Sequence, residues 1–120
     1  MNAVFVCFTG TGNTQRVCEA VAEAFRAMGN DARFELLRAD RGTPDISGAD
    51  RLIGAFPVHG FNAPAPVLAF LKGLPSVREG TAYLLRTSGE PLALNDASVL
   101  APARILRKKG YRVAGDFHYV

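Results

Sequence analysis

Tryptophan is absent from this 120-residue chain, and cysteine, histidine and methionine occur only twice each. Ten residues separate Cys7 from Cys18; the pair forms no CxxC motif, and neither cysteine stands beside a histidine at metal-ligand spacing. That pattern argues against a disulfide scaffold or a zinc site, and it leaves too few thiolates for an iron-sulfur cluster carried by the chain itself. His59 and His118 are the only histidines, and no Ser/His/Asp or Cys/His triad is arranged by proximity, so hydrolysis has no support. No apolar run approaches the roughly 20 residues that cross a bilayer, so no membrane span is expected. The first eight residues carry no basic segment, and their apolar run stops at a threonine-glycine loop, which reads as a strand rather than a signal peptide. Free thiols without an export signal lead us to expect a cytoplasmic protein. Excess charge is also scarce: 14 Lys and Arg against 11 Asp and Glu leave +3. That is too mild a surplus to imply nucleic acid, and no nucleic-acid partner is expected.

What the chain does have is a core. Hydrophobic residues make up 48% and charged residues 21%, the proportions of a globular protein of one domain at this length. Strand and helix patterns alternate along it, the mark of an α/β sheet with parallel strands. Val4 to Phe8 is continuously apolar, as in the middle strand of a sheet covered on both faces. A helix follows from about Asn13 to Met28, with Val17, Val21, Ala24 or Phe25, and Met28 at helical spacing and Gly29-Asn30 as its stop. Ala32 to Leu37 alternates apolar with charged residues, as on an edge strand. A polar loop occupies 38–48. Arg51 to Phe56 forms a third strand ended by Pro57, and Ala65 to Leu74 a second helix whose buried stripe is Val67, Leu68, Leu71 and Leu74. Thr81 to Arg86 is the fourth strand, Ser98 to Lys109 the third helix, and Tyr111 to Val120 the fifth strand. Three helices leave one face of such a sheet under-covered. A terminal helix from outside these residues, a homodimer or another partner would close it.

The most informative stretch is Phe8-Thr9-Gly10-Thr11-Gly12-Asn13-Thr14, which joins the end of an apolar strand to a helix N-terminus. Free backbone N–H groups and the helix dipole favour an anion there, three threonine hydroxyls add donors, and Gly10 and Gly12 permit close approach. No Lys or Arg lies between Met1 and Gln15, so the donors are neutral, which disfavours a triphosphate. Walker A fails because Asn13 and Thr14 follow Gly12, and the dinucleotide fingerprint fails at Gln15. The lack of Asp or Glu before Cys18 argues against a phosphoacceptor receiver. The plain structural alternative is a threonine-rich βα turn capped by Asn13 or Thr9.

This loop resembles the phosphate loop of the flavodoxin family, in which it holds the 5′-phosphate of FMN: Thr9, Gly12 and Thr14 stand at the family's Ser/Thr, small-residue and Thr positions. The family's aromatic before the loop is Cys7 here, and its later alanine is Cys18; both read as packing positions filled by buried small hydrophobes. Gly54 to Pro64 resembles the loop after strand three that flanks the flavin ring. Together with Phe70-Leu71-Lys72-Gly73-Leu74-Pro75, that segment is most similar to the flavodoxin-like domain of the EFR1 family, which an iron-sulfur ferredoxin domain follows. Relatives often carry tyrosine where His59 stands; an imidazole also stacks, with less area. A turn cap is the structural alternative for His59.

The resemblance implies a flavodoxin-like, doubly wound five-stranded parallel sheet in the order 2-1-3-4-5, without the final helix. FMN would sit at its carboxyl edge. Thr9, Gly10, Thr11, Gly12, Asn13 and Thr14 would anchor the phosphate. Pro57, Val58, His59, Gly60, Phe61, Asn62 and Ala63 would form the second loop, and Thr87, Ser88, Gly89 and Glu90 the third. No aromatic occurs from Thr87 to Ser98, so the second flavin face would be open. The implied function is electron transfer with an iron-sulfur, ferredoxin-like partner; the alternatives are an FMN-dependent reductase of a small molecule such as a quinone, and a flavodoxin fold that has lost its cofactor. No catalytic side chain and no metal ligand is expected. Arg104, Arg107, Lys108, Lys109 and Arg112, the densest basic group, read as a solvated face complementing a helix dipole.

Overall fold

The computed structural model describes residues 2–8, 13–37, 44–46, 48–57, 63–87 and 99–119. Their strands are β1 (Asn2–Cys7), β2 (Asp31–Leu36), β3 (Arg51–Pro57), β4 (Gly80–Thr87) and β5 (Tyr111–Tyr119); their helices are α1 (Asn13–Ala27), α2 (Ala65–Lys72) and α3 (Leu100–Lys108). All four strand pairings are parallel, in the order β2-β1-β3-β4-β5. The expected order is thus the observed one. β1 is buried along five of its six residues, as its continuous apolar run requires, but β3 occupies the middle of the sheet. β2 is an edge strand with the half-exposed pattern that its Asp31, Arg33 and Glu35 dictate.

Successive strand residues face opposite sides, which divides the apolar residues into two cores. Val4, Val6, Leu52, Phe56, Ala82 and Leu84 pack under α2 and α3 with Val67, Phe70, Leu71, Leu74, Ala103 and Leu106. Ala3, Phe5, Cys7, Ile53, Ala55 and Leu85 pack on the other side against Cys18 and Ala22 of α1. Two details of helix facing differ from the sequence pattern. On α1 the sealed line is Thr14, Cys18 and Ala22, with Val17, Val21 and Phe25 half-buried beside it, while Met28 lies beyond the helix and is 79% exposed. Small side chains form that line because they let the helix sit close on the sheet. On α2, Phe70 takes the buried place expected for Leu68, which is only partly covered. Pro64 precedes the first turn of α2, where the lack of an N–H costs nothing.

α1 has no companion helix on its face among the described residues. On that side Tyr83 and Phe117 lie stacked, ring centroids 6.3 Å apart, with Phe117 half-exposed, and the Arg51 guanidinium sits over the Tyr83 ring. β5 reaches this arrangement through an irregularity: Ala82 pairs with Val113 but Tyr83 with Gly115, so Ala114 is an extra residue. Beyond it, Gly115 and Phe117 share the face of Tyr83 and Leu85, and Asp116 shares that of Leu84. Gly110 closes α3 at φ 98°, a left-handed position that glycine tolerates; a Cβ there would run into the carbonyl oxygen of Val77. The Val77 N–H donates to the Lys109 carbonyl at 2.7 Å, which ties the segment after α2 to the end of α3.

Candidate functional site

The carboxyl ends of β1, β3 and β4 meet where the strand order reverses. β1 continues into α1 on one face of the sheet, while β3 leads through the next connection to α2 on the other, so the chain changes faces between β1 and β3, a topological switch point. Backbone bonds tie the strand ends there: the Leu37 N–H donates to the Cys7 carbonyl at 2.8 Å, and the Phe8 N–H to the Ala55 carbonyl at 2.9 Å. Ligands of open parallel sheets gather at such a switch point because neighbouring loops part there and helix N-termini point into it.

α1 begins at Asn13, with no acidic residue in its first turn. Its second residue, Thr14, is 2% exposed, and its hydroxyl oxygen lies 2.6 Å from that of Thr87, which is 8% exposed. This buried bond joins the start of α1 to the last residue of β4 across 73 positions of sequence. Thr87 also forms the final rung between β4 and β3, opposite Pro57. Thus Asn13, Thr14, Pro57 and Thr87, drawn from three separate sequence segments, come together at one edge of the sheet. Ala63 is placed differently: it is buried among the apolar residues under α2 and contributes to packing. Thr9, Gly10, Thr11, Gly12, Val58, His59, Gly60, Phe61, Asn62, Ser88, Gly89 and Glu90 lie outside the described residues.

Directly behind this edge Cys7 and Cys18 are both fully buried and unpaired by any disulfide. The hydrogen bond to Cys7, together with burial, pushes the Cys18 thiol far above the ordinary thiol range. A thiol held neutral in this way is a packing group and not a nucleophile. On the other face, Arg86 is 3% exposed, an unusual place for a cation. Its guanidinium forms a two-pronged bond with Asp116, Nε to Oδ1 and Nη2 to Oδ2, each at 3.0 Å. Sequence reasoning singled out Thr14 and Thr87 but not the bond between them, and it missed Arg86, for which the available signal was an arginine directly after the apolar run Tyr83-Leu84-Leu85.

Other concavities carry less chemistry. A polar groove of about 380 Å³ at the amino edge is lined by Asn2, Arg26, Asp31 and Arg33. Its arginines are already engaged, Arg26 with the Ala32 carbonyl at 2.8 Å and Arg33 with the Asp45 carbonyl at 2.6 Å. Among the described residues no group of His, Cys, Asp and Glu could hold a metal ion, and no helix is long and apolar enough to cross a membrane.

Charge is unevenly distributed. Lys72, Arg78, Arg104, Arg107, Lys108, Lys109 and Arg112 belong to α2, α3 and their following segments, and Glu79 is the one carboxylate among the described residues of 63–87 and 99–115. The rest of the chain holds seven cations against ten carboxylates. Because α2 and α3 run back from the carboxyl edge, most of this basic group collects at the amino end, away from the switch point.

No protein-family model matches the chain, and no curated protein matches it. Solved structures do. A flavodoxin from Streptococcus pneumoniae TIGR4 superposes with a TM-score of 0.80 at 19% identity, over 100% of this chain and 84% of that one. A flavoprotein from Lactobacillus acidophilus NCFM, solved in complex with FMN, gives 0.76 at 14% identity, over 98% and 92%. The two-electron reduced flavodoxin of Megasphaera elsdenii gives 0.73 at 19% identity, over 98% and 85%. At these identities the likeness is one of fold: the chain has the flavodoxin-like architecture.

Proposed function

We propose that the chain binds FMN non-covalently at the carboxyl edge of its sheet and serves as an electron-transfer module for an iron-sulfur, ferredoxin-like partner. The observation that carries this reading is the switch point between β1 and β3, with a carboxylate-free helix N-terminus and the buried Thr14 beside it. The donor set suits a phosphate monoester: neutral hydroxyl and backbone N–H donors, helped by the α1 dipole and opposed by no nearby acid in that turn. The solved structures named above, one of them an FMN complex, support the same assignment.

Under this reading Thr9, Gly10, Thr11, Gly12, Asn13 and Thr14 hold the phosphate, while Pro57 to Asn62 and Ser88 to Glu90 orient the ring. Bound there, the flavin supplies one- and two-electron transfer; the protein supplies position, solvent exclusion and local charge. No side chain of the chain needs to change redox state, and the raised Cys18 thiol is consistent with that division of labour.

A second reading, an FMN-dependent reductase of a small molecule such as a quinone, is favoured by the absence of aromatics from Thr87 to Ser98, which leaves one flavin face without a stacking partner from that loop. Titration of the apoprotein with FMN, followed by quenching of flavin fluorescence, tests the common premise. Saturable binding that weakens at least tenfold in Thr14→Val is expected. A folded wild-type protein that takes up no FMN would overturn both readings in favour of a fold that no longer carries the cofactor. Turnover of a quinone with a nicotinamide donor, against electron exchange with a reduced ferredoxin, separates the two.

A further inference from the structure

The Thr14–Thr87 contact leaves one of its two hydroxyl protons without a partner among the described residues. Two hydroxyls carry two protons, and one mutual hydrogen bond uses only one of them; whichever threonine accepts keeps its own O–H to donate elsewhere. Both side chains are more than nine-tenths buried, so bulk water does not set the direction of the bond. The surroundings do. Thr14 sits in the first turn of α1, where backbone N–H groups and the helix dipole draw a negative group and no carboxylate of the turn competes. Thr87 ends β4 and faces that turn from the neighbouring element.

We propose that Thr87 is a positioning residue of the phosphate site: it donates its hydroxyl proton to Thr14 Oγ1 and thereby turns the Thr14 O–H toward the phosphate. The inference rests on the FMN reading above and assigns a role to a residue that would not itself touch the phosphate. A hydroxyl that accepts one bond donates the next more strongly, so the pair acts as a short relay with a fixed direction. The phosphate fixes that direction, because a dianionic phosphate monoester has no proton to donate and only accepts. The same bond holds the end of β4 against α1, so the relay links the phosphate site to the start of the 88–90 segment.

The test compares FMN with riboflavin, which lacks the phosphate, in wild type, Thr87→Val, Thr87→Ala and Thr87→Ser, with binding read calorimetrically. Valine keeps the shape of threonine without its hydroxyl, alanine guards against a valine variant that does not fold, and serine restores the donor. The relay predicts that Thr87→Val and Thr87→Ala weaken FMN binding about tenfold while riboflavin binding stays within twofold, and that Thr87→Ser retains most of the FMN affinity. Competition by inorganic phosphate should fall in the same variants. Equal weakening of FMN and riboflavin would overturn the proposal, since it would mark a structural or ring-side role. Unchanged FMN binding in folded Thr87→Val would overturn it too, while leaving the FMN assignment intact. Wild-type protein that binds neither flavin would remove the assignment itself, and equal wild-type affinity for both would show that the phosphate is not sensed.

Discussion

Arg86 and Asp116 meet as a fork, two hydrogen bonds of 3.0 Å between a guanidinium whose side chain is 4% exposed and a carboxylate that is 33% exposed. The pair joins β4 to the edge strand β5 next to the carboxyl edge. Charge-assisted, bidentate bonds of this kind are stronger than neutral ones, and the partly open carboxylate keeps some of its hydration. Asp116→Asn should therefore destabilise the fold by about 1–3 kcal/mol, measured as a lower urea midpoint with an unchanged slope. A variant as stable as wild type would mean that the Arg86 charge is carried by its other contacts.

Gly110 and Gly29 share a left-handed backbone but not a neighbourhood. At Gly29 a Cβ meets nothing, so Gly29→Ala should cost about 1 kcal/mol, the conformational term alone. At Gly110 the added carbon is driven into the Val77 carbonyl, so Gly110→Ala should cost about 3 kcal/mol or more and loosen the end of α3. Parallel thermal melts of the two variants check the difference.

Alkaline stability should reflect Cys18. Its thiol is raised in the folded protein from an ordinary 9.0, first by the hydrogen bond to Cys7 and then by burial. The native state thus holds the proton more tightly than the unfolded chain, so stability is intact below about pH 9 and declines as pH rises further. Tyr111, raised from 10.0 by burial, adds to the decline above pH 10. Cys18→Ala should flatten the fall between pH 9 and 10, as read by urea unfolding at each pH. In the native protein, iodoacetamide should leave both cysteines unmodified at neutral pH, because both are sealed.

Two phenylalanines separate the covered from the uncovered part of the α1 face. Phe5, 1% exposed and edge-on to Phe25 at 6.4 Å, should cost about 3–5 kcal/mol on replacement by alanine. Phe117, 50% exposed, should cost roughly 1 kcal/mol or less, mainly its stack on Tyr83. Chemical denaturation distinguishes them.

Much of this architecture is legible residue by residue. The run Val4 to Phe8 can only be a strand enclosed on both faces, Gly29 and Gly110 mark helix ends, and the βα alternation leads to a parallel sheet. Local pattern loses its hold where distant residues decide the outcome. The choice of Phe70 over Leu68 follows from how α2 rests beside α3, which periodicity does not encode. The extra residue at Ala114 shifts the alternation of β5, so inward and outward positions after it are opposite to a regular count. Thr14 was singled out by its loop, but its bond to Thr87 spans 73 residues and has no signature in either segment.

The uneven placement of charge gives the molecule an electric moment. A basic corner at the amino end and a net negative remainder mean that a field, or a charged surface, orients the protein before it binds anything. On a carboxylate-coated electrode the ends of α2 and α3 land first and the carboxyl edge of the sheet points to solution; on an amine-coated electrode the preference reverses. If FMN binds at the carboxyl edge as proposed, interfacial currents from the loaded protein on the two coatings should then differ in rate, with the amine surface the faster, and added salt should erase the contrast as the screening length shrinks.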